Sequence, residues 1–130
     1  MAKNSNKLNL LDSKVRANRI VPQTPCYVET KTIGTTLAFN LPLENFSRTG
    51  LLLSSGPYQR VPFQVNTICE LKVDPQGTNF EQPLTLLAKI VRLKKEVGKA
   101  SQYGFQLLPL EIKDTIQWQK NMDVLESLEH

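Results

Sequence analysis

The sequence is short of the residues on which most catalytic and metal chemistry depends. It contains one histidine, His130, only two cysteines, and no apolar run of the length, about 18 residues, that a membrane-spanning helix needs. The polar start also lacks the apolar stretch of a signal peptide. The ending Leu128-Glu129-His130 is typical of the beginning of an expression tag, so we expect the histidine not to be native. Histidine acid–base catalysis and histidine metal ligation are therefore excluded.

The two cysteines offer no redox or metal motif. Cys26 and Cys69 lie 43 residues apart, and neither belongs to a C-x-x-C pair. We expect both to be small buried side chains in a reducing compartment, which predicts a cytoplasmic protein.

Charge is present, but it is concentrated in two segments. The chain has 130 residues, 40% of them hydrophobic and 22% charged, which indicates one globular domain. Its net charge is +4, and residues 1–20 hold five basic residues against one acidic residue. Residues 89–99 hold the same numbers. A basic arm and a basic hairpin on a mildly acidic body indicate a local anionic partner.

Short segments alternate between apolar and polar residues, as half-buried strands do. This alternation predicts strands over 26–30, 35–41, 69–73, 84–93 and 103–107, and the apolar run Leu51-Leu52-Leu53 predicts a further short strand. Proline, asparagine and glycine predict a turn over 42–50, and Gly98 predicts a hairpin tip over 94–100. Six strands without intervening helices favour a β-barrel or a sandwich.

The last segment changes to a helical period. Ile112, Ile116, Met122 and Leu125 approximate one helical face, and Pro109 suits a first helical turn. Trp118 lies at the edge of that face, where we expect it to anchor the helix against the strands.

Enzymatic motifs are scarce. Ser47 has no histidine to activate it as a nucleophile. Gly98-Lys99-Ala100-Ser101 lacks the earlier glycine and the strand-to-helix setting of a phosphate loop. We therefore expect a protein that is not an enzyme, with no catalytic residues, no metal site and no cofactor.

Two segments are suited to an anionic ligand instead. Arg16 and Arg19 precede the first strand, and arginine binds phosphate or the O6 and N7 edge of guanine through two hydrogen bonds. The second segment is Asn45-Phe46-Ser47-Arg48-Thr49-Gly50. Asn45 and Ser47 supply short polar groups there, while Gly50 permits a close backbone approach or a positive φ.

In this order and spacing the two segments resemble those of PilZ domains, bacterial receptors for the second messenger cyclic di-GMP. That family has an arginine-rich arm before the first strand and an N/D-x-S-x-x-G motif between the second and third strands. Asn45-x-Ser47-x-x-Gly50 fits the second motif. Residues 89–92 and 103–107 are similar to the family's later strands, and the resemblance covers residues 14–126.

The resemblance implies a stand-alone domain with a six-stranded antiparallel β-barrel and a C-terminal helix. A flexible basic arm would occupy residues 1–23, the barrel and helix 24–127, and a tag remnant 128–130. Cyclic di-GMP would bind where the arm meets the barrel. Its predicted contacts are Arg16, Arg19, Asn45, Ser47 and Gly50, with Lys14 and Arg48 as further candidates.

The family also implies a role for each of these residues. Arg19 would act as the second arginine of the arm, and Asn45 would accept a hydrogen bond from a guanine edge. Ser47 would bond the ligand directly, and Gly50 would keep the turn open.

The arm departs from the family pattern by one residue. The family's arginines are separated by three residues, whereas Arg16 lies one position too close to Arg19. In an extended chain one residue spans about 3.3 Å and reverses the side-chain direction. A local turn would absorb this shift, or Lys14 would substitute as a point charge. Asn45 also offers one acceptor oxygen where aspartate offers two, so both features predict a reduced affinity.

The leading hypothesis is a receptor in which cyclic di-GMP orders the arm and so changes the surface shown to an unidentified downstream protein. The alternative is a PilZ-like adaptor that binds no cyclic di-GMP and acts through protein contacts alone. A nucleic-acid-binding barrel is disfavoured because its aromatic residues do not alternate with the basic runs, as a stacking platform requires. Those aromatic residues are Tyr27, Phe39, Tyr58, Phe63 and Phe80.

Overall fold

The structure, a computed structural model, describes residues 19–74, 81–109 and 112–128. Its elements are β1 (Tyr27–Thr32), β2 (Ala38–Phe46), β3 (Gly50–Ser55), β4 (Ile68–Val73), β5 (Leu84–Lys94), β6 (Ser101–Leu107) and the helix α1 (Lys113–Leu128). The strands close into a barrel in the order β1-β2-β3-β6-β5-β4, and every neighbouring pair is antiparallel. This confirms the predicted fold.

Alternation along the strands builds the barrel interior. In β5 the side chains of Leu84, Leu86, Ala88 and Ile90 are buried, and the residues between them are partly exposed. The other strands contribute inward-facing residues in the same way to one continuous core. The pairing of β1 with β4 closes the sheet, so that none of the six strands is left with an unpaired edge.

The predicted turn over 42–50 is wrong for most of its length, because β2 continues to Phe46. Proline is tolerated at position 42 because its nitrogen faces away from β1. The Leu43 N–H donates to Cys26 O at 2.8 Å and so points to the β1 side. Successive amides of a strand point to opposite sides, so the nitrogen of Pro42, which has no N–H, points to the side of β3. Pairing with β3 begins only at Leu43↔Leu53, and the register then shifts between Leu43 and Asn45. The connection between β2 and β3 is therefore only residues 47–49, and Asn45 lies in a strand.

The predicted apolar face of the helix is wrong in its first half. Ile112 and Ile116 are 38% and 45% exposed, whereas Trp118 and Met122 are fully buried and Leu125 packs against the core. The helix begins at Lys113, so Pro109 precedes it. Trp118, with Met122 and Leu125 four and seven residues later, defines the buried stripe, because the largest apolar side chain fixes the rotation of the helix.

Trp118 is the anchor between helix and barrel, as predicted. Its ring lies 5.6 Å from that of Phe46 in an edge-to-face arrangement. Its Nε1–H donates to the backbone carbonyl of Ser47 at 3.2 Å, which satisfies the one polar group of the buried indole. A second contact fixes the start of the helix, where the Asp114 carboxylate accepts from the Thr85 N–H at 2.7 Å.

Both cysteines are buried and unpaired with each other, as predicted. Burial raises the pKa of the Cys69 thiol to about 11. Burial, followed by the negative charge of Asp74, also raises the pKa of Cys26.

Among the described residues no helix has the length and apolar character needed to cross a bilayer.

Replacing Trp118 by alanine is expected to lower the free energy of unfolding by about 3–5 kcal/mol, because a fully buried indole is lost and a cavity remains. Urea unfolding followed by circular dichroism measures this loss. Ile116→Ala, on the exposed side of the same helix, is the matched control and should change stability by about 0.5 kcal/mol or less. Equal losses in the two variants would contradict this account of how the helix packs.

Candidate functional site

The connection between β2 and β3 is a tight turn held by its own hydrogen bonds. The Ser47 N–H donates to Gly50 O at 2.8 Å, and the Thr49 N–H donates to Ser47 Oγ at 3.3 Å. The Leu107 N–H donates to Thr49 O at 2.9 Å and ties the turn to the end of β6. Ser47 is only 1% exposed as a result. Its hydroxyl accepts from Thr49, which leaves the O–H proton to be donated.

Gly50 is required by the close approach of two strands. It pairs with Gln106 of β6, and a Cβ at position 50 would overlap the carbonyl oxygen of Phe105. Its φ does not lie in the left-handed region. Of the two reasons for glycine predicted from the motif, the structure shows the close backbone approach.

The arm meets the barrel beside this turn. The N–H of Ile20 donates to Phe46 O at 2.7 Å, and the N–H of Phe46 donates to Ile20 O at 2.9 Å. Ile20 also packs against the core. This bridge holds the preceding residue, Arg19, beside Asn45, and Arg19 Nη1 donates to Asn45 Oδ1 at 2.7 Å. The structure thus brings together Arg19 and Asn45, while Arg16 and Lys14 lie outside the described residues.

The contact with Arg19 also orients the amide of Asn45. A guanidinium group only donates hydrogen bonds, so the atom it contacts must be the amide oxygen. One lone pair of Asn45 Oδ1 is therefore occupied, which leaves one further acceptor position and the two N–H donors of the amide. The partly exposed Asn45 and the exposed Arg19 together carry more hydrogen-bond donors than acceptors, which suits an anionic ligand.

Arg48 binds the helix. Its guanidinium donates to Gln119 Oε1 at 2.9 Å and to Glu126 Oε1 at 2.6 Å, and it also pairs with Asp123. The hydrogen bonds to Glu126 and Asp123 raise the pKa of Arg48. In return, Gln119 Nε2 donates to the backbone carbonyl of Arg48 at 3.0 Å. Turn and helix are therefore joined by side-chain and backbone contacts.

This contact is not predicted from the sequence, where Arg48 is only a candidate for the ligand. Asp123 and Glu126 lie three residues apart, so both carboxylates project from one side of the helix. That spacing was the available signal, but the sequence does not show which cation lies opposite. Contact between Arg48 and a ligand stays a prediction.

The described residues contain no group of three or more acidic, histidine or cysteine side chains suited to a metal ion. A cleft of about 400 Å³ lies between the helix and the start of β5. Its lining includes Pro83, Leu84, Gln117, Asn121 and Leu125, and Arg19, Asn45, Ser47 and Gly50 do not contribute to it. The described residues of the predicted site therefore lie outside this cleft.

Comparison with known proteins gives a consistent result. The family model described as "PilZ domain" matches residues 14–120. Among curated proteins, none matches.

Among solved structures, the PilZ domain of YcgR from Escherichia coli with c-di-GMP superimposes with a TM-score of 0.61 at 15% identity, over 85% of this chain and 90% of that one. YcgR from the same organism in complex with c-di-GMP gives a TM-score of 0.62 at 15% identity, over 85% of this chain and 45% of that one. The inhibitor of motility MotI (DgrA) from Bacillus subtilis gives a TM-score of 0.61 at 10% identity, over 86% of this chain and 50% of that one. The chain therefore spans about half the length of the last two proteins.

Replacing Gly50 by alanine is expected to destabilise the barrel by about 1–3 kcal/mol, because the added methyl group meets backbone that cannot rotate away. Chemical denaturation measures the change. Gly56→Ala is the matched control, since a Cβ at position 56 has no atom within 4 Å and its φ is not positive. If both variants unfold at the same denaturant concentration, the close approach at Gly50 is not a constraint.

Proposed function

The chain belongs to the PilZ domain family, a cyclic di-GMP-binding family, and on that premise we propose that it is a receptor for cyclic di-GMP. The observation that carries the proposal is the 2.7 Å contact between Arg19 and Asn45. Two residues predicted to bind the ligand come from separate segments and meet at the junction of arm and barrel. The two YcgR structures with c-di-GMP share this fold, which supports the proposal further.

The chemistry of the junction suits the ligand. Cyclic di-GMP carries two phosphates and two guanines, and Arg19 can bind either group through its planar donors. Asn45 would accept from a guanine edge with its remaining lone pair. Ser47 is 1% exposed, so a shift of the turn on binding would be needed for it to donate its hydroxyl proton to the ligand. Arg16, with Lys14 and Arg48 as further candidates, would supply additional positive charge for the phosphates.

The contacts below the turn suggest how binding reaches a downstream protein. Ser47 is bonded to Trp118, and Arg48 is bonded to Gln119 and Glu126, so a shift of the turn is transmitted to the helix. Ligand binding would order the arm at the same time, because the arm gives up conformational freedom only when the anionic ligand supplies compensating contacts. The proposed output surface is therefore the ordered arm together with the exposed side of the helix.

We propose further that the protein is not an enzyme and that it acts in the cytoplasm. Two unpaired thiols are typical of a reducing compartment.

The alternative function, an adaptor that binds no nucleotide, is favoured by two observations. Arg16 is one residue out of the family spacing, and the guanidinium of Arg48 is already bonded to the helix.

The receptor is tested by titrating cyclic di-GMP and, separately, GTP while backbone amide shifts are followed by NMR. Shifts are expected at residues 16–20 and 45–50 with cyclic di-GMP only. Arg19→Ala should weaken binding about tenfold to a hundredfold, because one bidentate contact is lost. Arg60→Ala, an exposed arginine at the other end of the barrel, is the matched control and should bind as the unsubstituted chain does.

Two results would contradict the receptor. The absence of shifts at near-millimolar cyclic di-GMP would favour the adaptor. Normal binding by Arg19→Ala would show that the ligand lies elsewhere on the barrel.

Asn45→Asp is expected to tighten cyclic di-GMP binding about tenfold, a change of roughly 1.4 kcal/mol within the range of charge-assisted hydrogen bonds. A carboxylate has a second oxygen for guanine N–H groups while the first still accepts from Arg19. Isothermal titration calorimetry measures the change, and Asn40→Asp, an exposed residue earlier in β2, controls for the added charge. Weaker binding by Asn45→Asp would show instead that Asn45 contacts the ligand through its amide N–H donors.

A further inference from the structure

Positive charge is concentrated at the end of the barrel away from the turn. This distal basic end consists of Arg60, Lys94, Lys95 and Lys99, with Glu96 as its one acidic residue. All five are exposed. The remaining described residues hold eight basic and eight acidic side chains, so the local excess is a property of this end and not of the whole barrel.

The distal basic end is well separated from the proposed ligand site. β6 begins at Ser101, which pairs with Ser55 near the basic loop, and reaches the turn at Gln106, which pairs with Gly50. The strand has seven residues, and at about 3.3 Å a residue the two ends lie roughly 20 Å apart. A partner at the basic end therefore does not compete with a ligand at the turn.

The basic loop between β5 and β6 presents one apolar side chain among its lysines. Val97 at its tip is 104% exposed, and Gly98 beside it has a φ of 75°, which forms the reversal. Glu96 is shared between Lys99 at 3.1 Å and Lys94 at 3.7 Å. One carboxylate shared by two ammonium groups leaves the tip positively charged.

A neighbouring loop extends this surface. Lys95 Nζ donates to the carbonyl of Val61 at 3.3 Å, which joins the basic loop to the segment between β3 and β4. That segment carries Arg60 and also Tyr58, which is 90% exposed. An aromatic ring, an aliphatic tip and several cations therefore project from the same end of the barrel.

We propose that the distal basic end docks on the anionic headgroups of a lipid bilayer. Lysine is a point charge that binds many phosphates without a fixed geometry, and Lys94, Lys95 and Lys99 dominate the tip. Val97 and Tyr58 suit the boundary between headgroups and acyl chains, where single apolar and aromatic side chains are favoured.

An acidic protein is a poorer match for this surface. The two exposed apolar side chains come from separate loops and are set among charges, whereas the centre of a stable protein interface is depleted of charged residues and lysine is under-represented there. A bilayer needs neither a complementary shape nor a continuous apolar patch, because its headgroups rearrange around the cations. The barrel docked in this way would leave the turn and the arm on its opposite side, open to ligand.

Flotation with phospholipid vesicles tests the proposal. The full chain should bind vesicles of equal parts phosphatidylglycerol and phosphatidylcholine at low salt, and it should not bind phosphatidylcholine alone. Since one lysine near an anionic surface changes the partition coefficient about fivefold, the triple variant K94Q/K95Q/K99Q should bind at least about tenfold more weakly. Binding should also fall when the salt concentration is raised tenfold.

The matched control is K72Q/K113Q/K120Q, which removes the same charge from exposed lysines outside the distal basic end. It should bind vesicles as the unsubstituted chain does, and thermal unfolding checks that both triple variants are folded. Val97→Asp, which alters only the tip, should weaken binding as well. Three results would overturn the proposal: no binding to anionic vesicles, unchanged binding by the loop variant, or equal losses in the two triple variants.

Discussion

The carbonyl oxygen of Ser47 accepts a hydrogen bond from the buried indole of Trp118, and the arrangement of turn and helix depends on that contact. It sets the helix beneath the turn and places Arg48 opposite Glu126 and Asp123. A buried indole N–H without a partner would be costly, so the helix cannot rotate or slide without losing both the hydrogen bond and the apolar packing. The turn and the helix are therefore joined directly, so a shift of the turn would displace the helix as well.

Most of the strands were predictable because they are half buried, and half burial leaves a period of two in the sequence. The exception is β3, which is buried at five of its six residues and was predictable from the apolar run Leu51-Leu52-Leu53. The prediction of a turn failed at Pro42, which lies inside β2. The nitrogen of Pro42 faces β3, and β2 begins to pair with β3 only at the next residue, Leu43, so no hydrogen bond of the sheet is lost. Prediction failed again in the helix, where Ile112 and Ile116 satisfy a helical period as well as Met122 and Leu125 do. Which of the two overlapping apolar faces of the helix is buried depends on the barrel surface that it packs against. Part of that surface is the carbonyl of Ser47, which binds Trp118 and lies 71 residues away in the chain.

The candidate site was predictable in its residue types and not in its internal contacts. The order of an arginine arm and an N-x-S-x-x-G motif indicated that Arg19 and Asn45 act together, yet the bridge that brings them into contact involves Ile20 and Phe46. These two residues are apolar, and nothing in their residue types predicts that their backbones form the hydrogen bonds between arm and barrel. Gly50 differs, because the motif predicted a close backbone approach at this position and the structure shows one, to the Phe105 carbonyl of β6.

Net charge described the chain as slightly basic, whereas the two basic segments are suited to different anions. In the arm, arginine predominates next to the barrel, and Arg19 already makes a directed contact of 2.7 Å with Asn45. Directed, planar donors suit a small ligand with a fixed arrangement of phosphates and bases. At the distal basic end, lysines surround an exposed valine and share a single carboxylate, which suits an extended surface whose charges have no fixed positions. Because Arg19 and the distal basic end lie at opposite ends of the barrel, the proposed ligand and the proposed bilayer would not compete for the same surface.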